Sequence, residues 1–246
     1  MSTMLSTLRV EAMARARPIP GRAMEDGEAR HHQIALSEDL RTLDPFSTRV
    51  RFARNETIFC EGDSSDYAFK IISGTVRLCA HTPDGRRQIS DFMLPGDVFG
   101  LMERNEYGFS AEAVTDVMLV SYPRNKIDEL WAKKPQVVNR VLAALVEHFL
   151  TMQRHLVVLG CQNAKERVAS FLLRLSERTQ SGAGERIDLS MGRQDIASHL
   201  GLTIETVCRA ISELKREGAI TTPNLHELIL NNLGALRALA EGESED

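Results

Sequence analysis

The chain has 246 residues, enough for two domains that each bury a core. Its composition, 43% hydrophobic and 26% charged with few aromatics, is that of an ordinary globular protein. Formal net charge is −4, and the last six residues, EGESED, hold four of the 34 acids, so the remainder balances 30 basic against 30 acidic residues. That balance excludes a broadly basic nucleic-acid coat, and any such interaction must rest on local geometry. No stretch is expected to be apolar for long enough to cross a membrane. The first 35 residues also lack the apolar run of a signal peptide, so the expected location is the cytoplasm.

Residues 1–35, polar and broken by RPIPGR, read as a flexible extension. ALSEDLRTLDPF (35–46) reads as a short helix capped by Ser37. From about 48 to 122 the short apolar stretches TIFC, YAFKIISG, TVRLCAHT, QISDFML and VMLVSYP alternate with turn residues. Gly62, Gly74, Gly85 and Gly96 follow at intervals of 12, 11 and 11. That punctuation predicts an antiparallel sandwich or jelly roll, with PDGRR (83–87) as a hairpin turn. The expected boundaries are a β domain over 36–134, a helix over 135–160, a second domain over 161–238 and an acidic tail over 239–246.

After Pro135, Val138, Leu142, Leu145, Phe149, Met152, Leu156 and Leu159 recur at spacings of 4, 3, 4, 3, 4 and 3. A seam that narrow, bordered by Arg140, Glu147 and Arg154, favours a partner helix in a parallel homodimer over packing within one domain. A second helix follows over 163–179, with Val168, Phe171, Leu172 and Leu175 on one face. QSGAGER then reads as a loop and RIDLS as a strand.

RQDIASHLGLTIETVCRAI has the layout of a helix-turn-helix. Ala197 is small where two helices cross, Gly201 supplies a positive φ, Thr203 can cap the second helix and Val207 fills the space beneath it. Glu205 and Arg209 stand four apart, and an arginine fork suits guanine while a carboxylate accepts from cytosine. Preceded by a dimerising helix the pattern gains force, because a symmetric reader needs a symmetric partner. Arg193 and Gln194 are candidate phosphate contacts, with plain solvated surface as the alternative. Thr203, Thr206 and Ser212 are grouped with them as candidate backbone contacts.

IFCEGDSSDYAFKIISGTVRL, DGRRQISDFMLPGDVFGL and LGLTIETVCRAISELKREGAI together resemble the Crp/Fnr family of transcription regulators, in order and spacing, across residues 40–232. The resemblance implies an α+β chain: an N-terminal double-stranded β-roll, a long dimerisation helix and a C-terminal winged helix-turn-helix, with ITTPNLHELILNN (220–232) forming the wing. It implies that double-stranded DNA and RNA polymerase are partners, and that Ile204, Glu205 and Arg209 occupy the base-reading positions. An aliphatic Ile204 is similar to the Fnr and FixK branches, which recognise TTGAT-N4-ATCAA palindromes. Where cyclic-AMP receptors carry a glutamate and an arginine, this chain has Leu101 and Phe109, so cyclic AMP is not expected to bind. No cysteine precedes Cys60, which argues against the iron–sulfur cluster of oxygen-sensing relatives and toward FixK-type regulators of microaerobic respiration and nitrogen fixation. No cofactor is expected.

The four cysteines, Cys60, Cys79, Cys161 and Cys208, include no CxxC pair and read mainly as small buried residues, with a non-local site left open. Cys208, beside Arg209 and near a helix N-terminus, raises a choice between a redox switch that weakens DNA binding and an inert small residue. Three alternatives remain at this level. One is a regulator answering to an unidentified small ligand or to haem through His31, His32 or His81. Another is a jelly-roll metal enzyme, for which His81 is the sole histidine between 48 and 122. The third is a sensor with a degenerate DNA-binding half, against which Gly201, Glu205 and Arg209 speak.

Overall fold

The computed structural model describes residues 38–242 apart from 82–84, 86, 104, 180–181 and 185. The extension expected over 1–35, Ser37, most of the 83–87 turn and residues 243–246 lie outside the described residues. A 3-10 helix, Arg41–Phe46, leads into β1 (Thr48–Phe52), β2 (Thr57–Phe59), β3 (Tyr67–Ser73) and β4 (Val76–His81). β5 (Arg87–Met93), β6 (Val98–Phe99), β7 (Ser110–Ala113) and β8 (Val117–Pro123) complete the roll. They form two antiparallel four-stranded sheets, ordered β1-β8-β3-β6 and β2-β7-β4-β5, the jelly-roll architecture that the punctuation predicts. β6 and β7 are too short to show as alternating stretches.

Aromatic rings fill the space between the sheets. Phe59 stacks on Tyr107 with centroids 3.6 Å apart, and Phe69 on Phe99 at 5.4 Å, beside fully buried Ile71 and Leu119. The four evenly spaced glycines all adopt positive φ. Gly74 shows why: at φ +85°, an added Cβ would lie 2.3 Å from the Asp116 carbonyl oxygen, so conformation and close approach both demand glycine.

Helix α1 (Arg124–Lys133) closes the roll and carries no marked sequence signal. Its Arg124 guanidinium donates to the carbonyls of Ser65, Gly100 and Leu101. Helix α2 (Pro135–Cys161) starts on a proline, whose missing N–H costs nothing in a first turn. Leu142, Phe149 and Leu156 on its seam are 58%, 59% and 67% exposed, so the apolar stripe is uncovered in the single chain. By length and composition α2 is also the one helix among the described residues long and apolar enough to cross a membrane, which corrects the expectation that no stretch is. A sustained heptad seam simply carries as many apolar residues as such a span. Glu147 needs a second correction: it does not border the seam in solvent but is buried on the opposite face.

The C-terminal half contains α3 (Ala164–Thr179), β9 (Arg186–Asp188), α4 (Arg193–Leu200), α5 (Ile204–Arg216), β10 (Ile220–Asn224), β11 (Glu227–Leu230) and α6 (Leu233–Ala240). Its three strands pair in the order β10-β11-β9. The predicted inner face of α3 (Val168, Phe171, Leu172 and Leu175) is buried. α6 runs to Ala240, two residues into the segment assigned to the tail, and Leu239 packs against the core.

The two halves are docked through a shared apolar cluster, in which Ile89, Phe92 and Val114 of the roll pack with Phe171 and the C-terminal core, and through charged and polar contacts. Arg77 and Arg87 on the roll share Asp195 of α4, at 3.1 and 2.5 Å, and also share Glu112 of β7. Burial pushes the Glu112 carboxyl up, but the two guanidinium groups prevail and hold it below the usual range. His199, fully buried at the end of α4, accepts from Arg174 through Nε2 and donates through Nδ1 to the Ile89 carbonyl of β5. His155 of α2 stacks on it at 4.5 Å.

Burial, reinforced by Arg174, pushes the His199 imidazole down to about 3. Because its folded pKa lies below the unfolded value near 6.5, the unfolded chain binds the extra proton between those values. Stability is therefore expected to be full above about pH 6.5 and to fall as pH drops through the window toward 3. The loss is about 2–3 kcal/mol between pH 7 and pH 4.5. Urea titrations of the wild type and His199→Gln check this, since the variant must flatten that acid limb.

Candidate nucleic-acid interface

The helix-turn-helix is built from local rules. α4 ends at Gly201, whose φ of +62° and ψ of +38° are left-handed, and the backbone N–H of Leu202 returns to the Ala197 carbonyl at 3.0 Å. Arg167 of α3 donates to the Leu200 carbonyl at 3.1 Å, tying that end to the scaffold. The Thr203 hydroxyl accepts from the Thr206 backbone N–H at 3.2 Å, the expected N-cap. Val207, Ala210, Ile211 and Leu214 are buried and fix the rotation of α5 about its axis.

That rotation decides what faces outward. Glu205, Cys208, Arg209 and Ser212 are exposed together, while Ile204 and Thr206 are half-buried. Hydrogen bonds from the Glu205 backbone N–H and the Thr203 hydroxyl hold the Glu205 carboxyl below its ordinary value. Among the described residues Glu205 and Arg209 form no ion pair with each other, so the Arg209 fork is left available and Glu205 is held only by the start of its own helix. Ser212 spends its hydroxyl on the Cys208 carbonyl at 2.8 Å.

Gln194 is exposed, but Arg193 is half-buried, and its Nη1 is a buried donor without a hydrogen-bond partner. Burial lowers its pKa, a shift that nearby Cys208 opposes. The wing strands β10 and β11 pair antiparallel, and Leu225 at their tip is 75% exposed. The seam residues Val138, Leu142, Phe149, Met152 and Leu156 of α2 are exposed, with Leu145 and Leu159 half-buried.

Cysteine burial departs from expectation: Cys60, Cys161 and Cys208 are exposed and Cys79 alone is buried. Sequence reading also missed a gathering of Cys79, His81 and Glu112, whose donor atoms lie within 4.8 Å of one another. β4 and β7 bring them together across the sheet, which spacing along the chain does not show. Glu112 is engaged by Arg77 and Arg87, and burial with the Glu112 charge pushes the Cys79 thiol up to about 12. Two cations and a reluctant thiol make a poor metal cradle.

Residues 166–239 match the Crp-like helix-turn-helix domain, and residues 49–134 match the cyclic nucleotide-binding domain. The chain is 37% identical over 236 residues to the nitrogen fixation regulation protein FixK of Azorhizobium caulinodans, covering 94% of each chain. It is 36% identical to the transcriptional activatory protein AadR of Rhodopseudomonas palustris, covering 74% of this chain and 77% of that one. The solved structure of FixK2 from Bradyrhizobium japonicum superposes with a TM-score of 0.75 at 34% identity, over 78% of this chain and 96% of that chain.

Proposed function

Because the chain belongs to the Crp/Fnr family and is a FixK-type DNA-binding transcription regulator rather than an enzyme, we propose that it acts as a cytoplasmic homodimer on a TTGAT-N4-ATCAA palindrome. The observation that carries this is the pairing of two features: Glu205 and Arg209 exposed on α5 with no ion pair between them, and an uncovered apolar seam on α2. Arg209 places its fork on guanine O6 and N7, Glu205 accepts from cytosine N4, and Ile204 meets a thymine methyl. Gln194, Thr203, Thr206 and Ser212 line the backbone side, with the half-buried Arg193 guanidinium beside them, its exposed edge toward a phosphate. The dimer contacts RNA polymerase as an activator, in the response to low oxygen or in nitrogen fixation.

Cyclic AMP is not its effector in this reading. Leu101 is buried in a core cluster with Leu40 and Tyr122, and stacked phenylalanines occupy the inside of the roll. Neither offers a partner for ribose hydroxyls or a phosphate.

The test is binding of reduced, ligand-free protein to a TTGAT-N4-ATCAA duplex and to a scrambled duplex across a salt series. The expected result is a preference of about 10³-fold or more, with two chains per duplex. Equal affinity for both duplexes, or one chain per duplex, overturns the reading.

Cys208 tunes that binding. Attack of its thiolate on hydrogen peroxide forms a sulfenic acid and releases hydroxide, adding polar bulk on the DNA-facing side of α5. Peroxide is expected to weaken operator binding of the wild type and to leave Cys208→Ser unaffected. Equal peroxide sensitivity in both proteins assigns the effect elsewhere.

A further inference from the structure

We propose that a cavity between the β-roll, α2 and α3 is a binding site for a small organic cation with an apolar body. Its volume is about 410 Å³, within the range of small-molecule sites. Ala144, Glu147, Thr151 and Val158 reach it from the face of α2 opposite the seam, so a partner helix on the seam leaves it open. Leu94 from the roll and Phe171 from α3 provide apolar walls on the other sides. The site is separate from the interior of the roll, which the stacked rings occupy.

Glu147 decides the ligand class. It is 7% exposed and lines the cavity, yet among the described residues its carboxylate has no hydrogen bond or ion pair. Its oxygens are not sealed off within the core, so they open onto the cavity and are available to a ligand there. The other carboxylates and the guanidinium groups around the cavity are committed, and His148, exposed at its edge, is the one further titratable side chain there without a partner among the described residues. Arg178 spans Asp91, Asp97 and the Phe92 carbonyl, Arg174 donates to His199, and Glu177 and Arg154 have partners of their own. His155 is pushed down by burial and Arg174, which favours its neutral form and adds no competing charge. One unanswered negative group in a largely apolar chamber selects an ammonium, amidinium or guanidinium joined to a ring or short hydrocarbon.

The test is calorimetric titration of the full chain with tryptamine and phenethylamine, and with 3-ethylindole as an uncharged counterpart. The wild type is expected to prefer an amine over 3-ethylindole by about tenfold or more, and Glu147→Gln to lose that preference. Ala144→Phe, which fills the chamber and keeps the carboxylate, is expected to abolish amine binding and decides the matter if the glutamine variant does not fold. Absence of amine binding by the wild type, equal binding by Glu147→Gln, or binding that survives Ala144→Phe overturns the assignment. The heat of ligand binding is read without DNA, so failure here is distinct from failure of the operator reading.

Discussion

Arg209→Ala is expected to weaken binding to the palindrome by about 10- to 100-fold per half-site, which is the worth of one bidentate arginine–guanine contact. Binding to a scrambled duplex should fall far less, because only one charge is lost there. The separation of the two effects is the diagnostic. Arg209 is exposed and makes no ion pair with Glu205, so its removal should change folding stability by no more than about 0.5 kcal/mol. Arg209→Lys retains the charge without the fork and should behave like alanine for selectivity and like wild type for the salt slope. Titrations against both duplexes at several salt concentrations, with thermal melts as controls, measure all three terms. Retained selectivity in Arg209→Ala would move base reading off this residue.

The second large effect concerns the junction of the two halves. Asp195→Ala is expected to cost about 3–5 kcal/mol of folding stability, because it leaves Arg77 and Arg87 sharing a single carboxylate in a buried setting. Arg77 is only 6% exposed and cannot swing into water to recover its hydration. The loss does not measure what the intact network contributes, since much of it is the penalty for the uncompensated charge. Denaturant unfolding gives the magnitude, and hydrogen exchange at the start of α4 and along β4 gives the location. A change below about 1 kcal/mol would mean that the network contributes little and that the apolar cluster around Phe92 and Phe171 holds the junction. Asp195 lies two residues from Arg193 and at the start of α4, so the same contact that docks the halves also sets the pose of the helix-turn-helix. A change in the roll can thereby be felt at the recognition helix.

Much of this molecule is legible along the chain because its rules are local. Glycines recurring every 11 or 12 residues mark the strand ends of the roll, and each takes the left-handed conformation that such turns need. Ala197, Gly201, Thr203 and Val207 identify the helix-turn-helix, since a left-handed turn, a cap and a buried contact each demand a residue type at a fixed offset. With the buried stripe of α5 assigned, the outward placement of Glu205 and Arg209 follows from helical periodicity. The α2 seam is visible for the same reason.

Other features depend on what packs against a residue, and only the tertiary structure decides them. Glu147 occupies a helical position that reads as solvent, but the roll and α3 close over that face and turn its carboxylate onto a cavity. Asp195 meets Arg77 across 118 residues of sequence, and no spacing rule anticipates that meeting. His199 is an ordinary polar residue in the helix pattern until β5, α2 and α3 surround it and hold it neutral. Cys79 and Cys208 are chemically alike in the sequence, yet one is sealed between strands and the other faces outward from α5. Periodicity sets which side of an element a residue takes, because backbone geometry repeats along the chain. Whether that side meets water, an opposite charge or an empty chamber is set by segments remote in sequence, and the fate of a buried charge depends on those neighbours.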